Sequence, residues 1–447
     1  MSDGNQLFWK AYASTIRDIM TSGPIGDNTR VYIAPNNTDG ICGGKDIPAP
    51  CTNYGIFQYA DFLLDPKNPN WVASKTSRYS EALDAAMGRL TPNGKGDTAP
   101  DAWIRLANAK ERVKIYQREK DEAREQAEKD FKQDDNPDKP KSFAQWYPLN
   151  ADAYVVAIRN FVGATNEVQR RTSEIGGAGS VLLAQAMKKT AAGVNDQQLT
   201  PGYTMRASSG SVNFDATGKA IAPSEEAISF VPLYTIQQYG ALLDGWIANN
   251  NQKPSTFALD LSTGSHFSYK DIGFTEAEGE ASFRQLPVFD FYASGGGQVE
   301  HANFDMSSNA KDVRVTLEIK HYKIVTFQPG QWNVDVNDLI AKMEAKAPTM
   351  QQKVRPTQML VAQGISMKVN FLGSARTAFD KDYKKTVQGG GAISVFGFRI
   401  GGSGSSSEET ASHGHTWDSS SGSLNIAAEN AAHSANVLAV LGEIVTV

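Results

Sequence analysis

Cysteine is nearly absent from this chain: only Cys42 and Cys51 occur in 447 residues. A disulfide-dense scaffold and a cysteine-rich metal site are both excluded by that scarcity. The pair closes a short loop containing glycine and proline. Oxidised, it would add about 2 to 3 kcal/mol; in a reducing compartment it is two thiols, and the sequence leaves both readings open. Long apolar runs are missing as well. The longest, 437–447, is broken by Gly442 and Glu443 and falls short of the ~18 to 20 residues that cross a bilayer as a helix, so no transmembrane segment is expected. The N-terminus lacks the uninterrupted apolar core of a signal peptide, which tips the balance toward the cytoplasm. Excess positive charge is lacking too. With 44 basic against 49 acidic residues the net charge is −5, which offers no long-range attraction to phosphate backbones, and no nucleic acid is expected as a partner.

Catalytic signatures are also missing. No P-loop and no Gly-x-Ser-x-Gly elbow is found. The glycine clusters at 176–179 and 401–404 are not strand-to-helix turns, the geometry that presents backbone donors to a dinucleotide phosphate.

What is present divides the chain into two halves of different period. The segment from Leu7 to Met20 places apolar residues at helical spacing with Lys10, Arg17 and Asp18 between them, which predicts an amphipathic helix docked on the fold. From 101 to about 133, Trp103, Leu106, Ala109, Val113, Tyr116, Ala123 and Ala127 recur every three or four residues. That spacing predicts a helix roughly 50 Å long. Its acidic and basic residues balance, as on a solvated face. Pro137 and Pro140 end it, because proline lacks a donor and constrains its predecessor. A second periodic run, Tyr154 to Val168, then completes an antiparallel helical hairpin at about 101–175.

Beyond residue 205 the period becomes two. Val313, Val315, Leu317 and Ile319 alternate with polar residues, and so do Ile365, Met367, Val369 and Phe371, as half-buried strands do. The phase slips after His321, where Tyr322 and Ile324 are apolar, and a β-bulge there is expected. The runs 393–400 and 437–445 are apolar on both sides, as in a covered strand. A short helix is expected over 334–345. The expected fold is α+β: a mainly helical domain over 1–200 containing the charged hairpin, and an antiparallel, sandwich-like β domain over 205–447.

The nearest thing to a site is histidine. All six histidines follow residue 265, and His413 and His415 flank Gly414 in a Ser/Gly-rich loop. Extended backbone puts those two imidazoles on one face, and Glu429 with His433 would share a face of a helix. Together His413, His415, Glu429 and His433 are a ligand set suited to a transition metal ion with an open position. The His-x-His spacing is similar to the first histidine pair of cupins, but the acidic ligand that follows in that family is absent here, and no role is carried across. The ordinary alternative is that these are exposed loop residues. His321 reads as a core histidine with a neighbouring partner.

Two functions of different class follow. The first is a non-catalytic protein that binds a protein partner, a glycan or a membrane surface, or assembles as a homo-oligomer. Pore-forming toxins built from helical and β modules share that architecture. The second is a metal-dependent enzyme, an oxidoreductase among others, working at the histidine loop.

Overall fold

The computed structural model describes residues 4–82, 100–136, 143–176, 203–206, 213–214, 220–221, 229–292, 304–330, 333, 351–401, 414–427 and 433–446, less 22, 35–39, 46, 48, 260, 284–285, 305 and 388–389. The protein is α+β, with helices and antiparallel sheets. Its contacts divide the chain into two compact units. One comprises Met1–Arg78, Ile236–Gln328 and Gln351–Thr446; the other comprises Tyr79–Thr235 and Pro329–Met350, with the terminal residue. Residues 1–78 therefore join the sheet-rich unit.

The first unit is organised by the 20-residue strand Gln352–Phe371. The main sheet runs Thr29–Ile33, Ser434–Thr446, Gln352–Phe371, Val313–Thr326 and Ser255–Leu259, antiparallel throughout. Along the central strand burial alternates at both ends and is continuous in the middle. Met359, Leu360, Val361 and Ala362 are buried in succession, as are Val437 to Val440 beside them. Both faces of the sheet are covered there. From Ile365 to Phe371 burial alternates, with Lys368 exposed between buried Met367 and Val369, so one face is open. The strand Ser423–Ile426 takes over this stretch as neighbour and carries His415–Asp418 on its far side.

No bulge forms at His321. The register between Val313–Thr326 and the central strand holds from Val313↔Phe371 to Thr326↔Gln358. His321 stays in phase with Ile319 and is buried, while Tyr322 and Ile324 are exposed. The apparent slip came from apolar residues on the open face, with the backbone unchanged. The bulges lie on the opposite side of the central strand, at Pro356/Gln358 and Leu360/Val361.

The first helix, Gly4–Met20, is more deeply placed than its amphipathic sequence predicts. Phe8, Trp9, Tyr12 and Ile16 are at most 2% exposed. Trp9 stacks on Phe283 with centroids 5.6 Å apart, meets Phe396 edge-on at 5.1 Å, and donates its indole N–H to the Leu286 carbonyl at 2.7 Å. Lys10 reaches Glu276 at 3.2 Å across the Tyr269 ring. The helix touches Thr29–Ile33, Ser255–Leu259 and Ser434–Thr446, so a helix contributes to the layer packed on the large sheet.

The apolar run 393–400 is two strands, Ala392–Val395 and Phe398–Gly401, joined at the pair Val395↔Phe398. The two turn residues, Phe396 and Gly397, have φ of 50° and 88°, the mirror-image turn that matches strand twist. Phenylalanine is unfavourable at positive φ. Full burial of its ring against Trp9 and Tyr12 offsets that cost. The expected helix over 334–345 lies outside the described residues.

In the second unit the helices Pro100–Gln133 and Asp152–Gly176 form the hairpin, with the short helix Phe143–Asn150 at the turn. Lys120 lies against Phe161, and Ala127 packs with Tyr154. Rising numbers on one helix meet falling numbers on the other, so the two are antiparallel. The first helix buries Ala102, Leu106, Ala109, Lys120 and Ala127, with Val113, Tyr116 and Ala123 half-buried between them. These positions alternate steps of four and three, the seam of a coiled coil.

Candidate functional site

His413 and Glu429 lie outside the described residues, and so does His301. His415 opens the strand His415–Asp418, which is pinned to the helix Gly373–Val387. Its Nε2 lies 3.1 Å from the Tyr383 hydroxyl. Trp417 donates its indole N–H to Asp380 Oδ1 at 2.9 Å, and Lys384 reaches the other oxygen of that carboxylate at 2.6 Å. The Lys384 hydrogen bond, with that of Trp417, holds the Asp380 carboxyl below the usual carboxylate range. Beneath this ribbon Phe379 is fully buried and stacks on Phe371 at 4.0 Å. His415 is thus engaged by a residue that no sequence spacing linked to it.

His433 is the turn residue leading into Ser434–Thr446, not part of a helix. Its carbonyl accepts from the Gly43 amide at 2.9 Å, and its Nδ1 is buried without a hydrogen-bond partner. Asp244 Oδ1 approaches the next residue, Gly44, where a Cβ would lie 2.5 Å from that oxygen and 3.2 Å from His433 Nδ1. The carboxylate accepts from the Lys45 amide at 3.0 Å. Among the described residues no three His, Cys, Asp or Glu side chains converge to hold a metal ion. The Cys51 side chain lies outside the described residues.

His321 is a core histidine, as expected, and its neighbour is Trp246, stacked at 5.5 Å and 10°. Nε2 has no partner, and burial pushes its pKa down, favouring neutral imidazole. His266 is exposed and bonded to the Ser262 carbonyl at 2.7 Å.

The hairpin carries the second candidate surface. Its turn is clamped by aromatics: Phe143 meets Phe131 at 5.8 Å, Tyr147 at 5.5 Å and Tyr154 at 6.0 Å, and Trp146 packs beside them. Trp146 donates to Asp134 at 2.6 Å, tying the short helix to the end of the first. Leu149 on that clamped turn is 78% exposed. Ile104, Ile115, Val156 and Val162 of the long helices are exposed as well. Five of the nine large exposed apolar side chains among the described residues thus sit on this hairpin. Sequence periodicity located the helices, but Leu149 stands outside any period and gave no signal.

No protein-family model, no curated protein and no solved structure matches this chain.

Proposed function

We propose that this chain is a non-catalytic binding protein whose helical hairpin is its contact element, for assembly with further copies or for seating on a membrane surface. The observation that carries this reading is the concentration of exposed apolar side chains on the hairpin, above all Leu149 on an aromatic-clamped turn. A rigid exposed leucine is ready to be buried without an ordering cost at its own backbone, and burying one stabilises a contact by about 1.5 to 3 kcal/mol. The toxin-like form of the proposal adds membrane action by the assembled protein.

Sedimentation velocity over a concentration series, together with dye release from neutral and anionic liposomes, tests it. Association or release in the wild type that is reduced at least tenfold by Leu149→Asp supports the reading. A protein that stays monomeric at every concentration and releases no dye overturns it.

A second reading, a metal-dependent enzyme, is favoured by one observation: the buried, unpartnered Nδ1 of His433 beside the Asp244 carboxylate. Stoichiometric transition metal in the purified protein, lost in His433→Ala, would support it, and no metal in the wild type would remove it.

A further inference from the structure

We infer that a cleft in the sheet-rich unit binds a small ligand carrying a phosphomonoester or similar dianionic group. The cleft has a volume of about 420 Å³, and its wall includes Asp27, Arg30, Lys67, Lys270, Phe274 and Glu278. That size lies in the range of small-molecule sites, roughly 300 to 1,000 Å³.

The wall is organised around Arg30. Its Nη1 donates to the carbonyls of Asp27 at 2.7 Å and Thr29 at 2.8 Å. The guanidinium lies over the Phe274 ring at 5.8 Å. Two main-chain acceptors and one ring therefore fix the plane of the group, while among the described residues Nη2 has no acceptor. Gly273 makes this placement feasible. Its φ is +91°, and a Cβ there would stand 2.5 Å from the Thr29 carbonyl oxygen and 2.8 Å from Arg30 Cδ. Any other residue at 273 would clash with the backbone and push the arginine away.

Charge points to the ligand class. Lys67 and Lys270 are exposed on the same wall, and among the described residues neither ammonium has a carboxylate within ion-pair distance. Of the two carboxylates, Glu278 is occupied: it accepts from the Thr275 amide at 2.9 Å and closes its own helix start. Asp27 is exposed at the rim. Three cations thus face two carboxylates, one of them turned back to its own helix start, and leave the wall locally positive in a protein whose net charge of −5 repels anions in general. A dianion held there is held locally, by the free Nη2 of the fixed guanidinium and two ammonium groups, charged donors that suit phosphate oxygens.

A phosphomonoester can arrive free or as a lipid headgroup. Isothermal titration with glycerol 3-phosphate and flotation with vesicles containing 20% phosphatidic acid separate the two sources; the vesicle content is a chosen condition, about one lipid in five, enough to set a surface potential. Glycerol 3-phosphate binding that weakens at least tenfold, the equivalent of about 1.4 kcal/mol, in Lys67→Ala/Lys270→Ala and in Arg30→Met, but is unchanged in Lys323→Ala, confirms the cleft. Binding to vesicles alone, with the same variant pattern, assigns the headgroup as the ligand. Among the described residues the ammonium groups of the lysine pair make no structural bond, so that variant keeps the test valid if Arg30→Met fails to fold. No binding of either probe, or equal loss in Lys323→Ala, overturns the inference. This outcome is independent of assembly through Leu149, which is read by sedimentation.

Discussion

Lys120 illustrates how much one side chain's surroundings decide. Its sequence neighbours are charged, and it reads as part of a solvated helix face. In the hairpin it occupies the seam, 6% exposed, with Nζ 4.4 Å above the Phe161 ring and only a 3.4 Å contact to Gln117 and a 3.8 Å contact to Asp121. Burial pushes its pKa below the ordinary lysine value, because desolvation penalises the ammonium form. A base with a lowered folded pKa contributes stability above its unfolded value of about 10.4, and that stability is lost as pH falls through the folded value. At neutral pH Lys120 therefore weakens the hairpin. Lys120→Met is expected to raise stability by on the order of 1 kcal/mol at pH 7, and the gain should shrink as pH approaches 10.5. Denaturant titration at both pH values checks this. A single polar residue in such a seam also fixes register, so the variant's gain in stability is expected with weaker specification of how the two helices align.

At the scale of elements, the ribbon His415–Asp418/Ser423–Ile426 depends on carboxylates. Asp418 accepts from the hydroxyls of Ser420 and Ser421, both at 2.6 Å, and from the Ser420 amide at 2.9 Å. Those bonds hold its carboxyl well below the usual range, as Lys384 and Trp417 do for Asp380. Acids with depressed folded pKa values contribute stability above their unfolded value of about 3.9, which is lost as pH falls through the folded values. The Trp417 indole N–H resonance should keep its folded position at pH 5 and leave it as the pH drops below about 4, before the rest of the sheet unfolds. A resonance unmoved to pH 2 would show that these carboxylates do not hold the ribbon. The legible parts of this region were the strands. Alternation in 313–319 and 365–371 follows from burial on one face, which sequence records directly. The Phe396-Gly397 turn was illegible, because its phenylalanine carries no turn signal and is tolerated only through its ring contacts with Trp9 and Tyr12.

Over the whole molecule, the two ends of the chain meet in one sheet. Ser434–Thr446 pairs with Thr29–Ile33 on one side and with Gln352–Ala362 on the other. Val437, Leu438, Ala439 and Val440 are at most 3% exposed. Removing 437–447 would open both neighbouring edges and uncover that apolar layer. Unpaired edges of this kind recruit other chains, so the shortened protein is expected to aggregate on expression. A soluble product with an unchanged melting temperature would show that the last strand is dispensable.

The sequence by itself determined the α+β class, the hairpin helices, the alternating strands and the C-terminal strand, because each follows from a local period in apolar residues. It also placed His321 in the core. Tertiary structure alone decided the rest. The first helix is buried, although its charges mark one face as polar, because Phe283 and Phe396 cover Trp9 and Tyr12 from far along the chain, and Glu276 meets its Lys10. His415 meets Tyr383 and His433 comes beside Asp244 through strand pairing and helix packing, contacts between residues too distant in sequence for any period to record. The fixed Arg30 in its cleft depends on Gly273 in the same way: the space one glycine leaves matters only once folding brings the arginine to it.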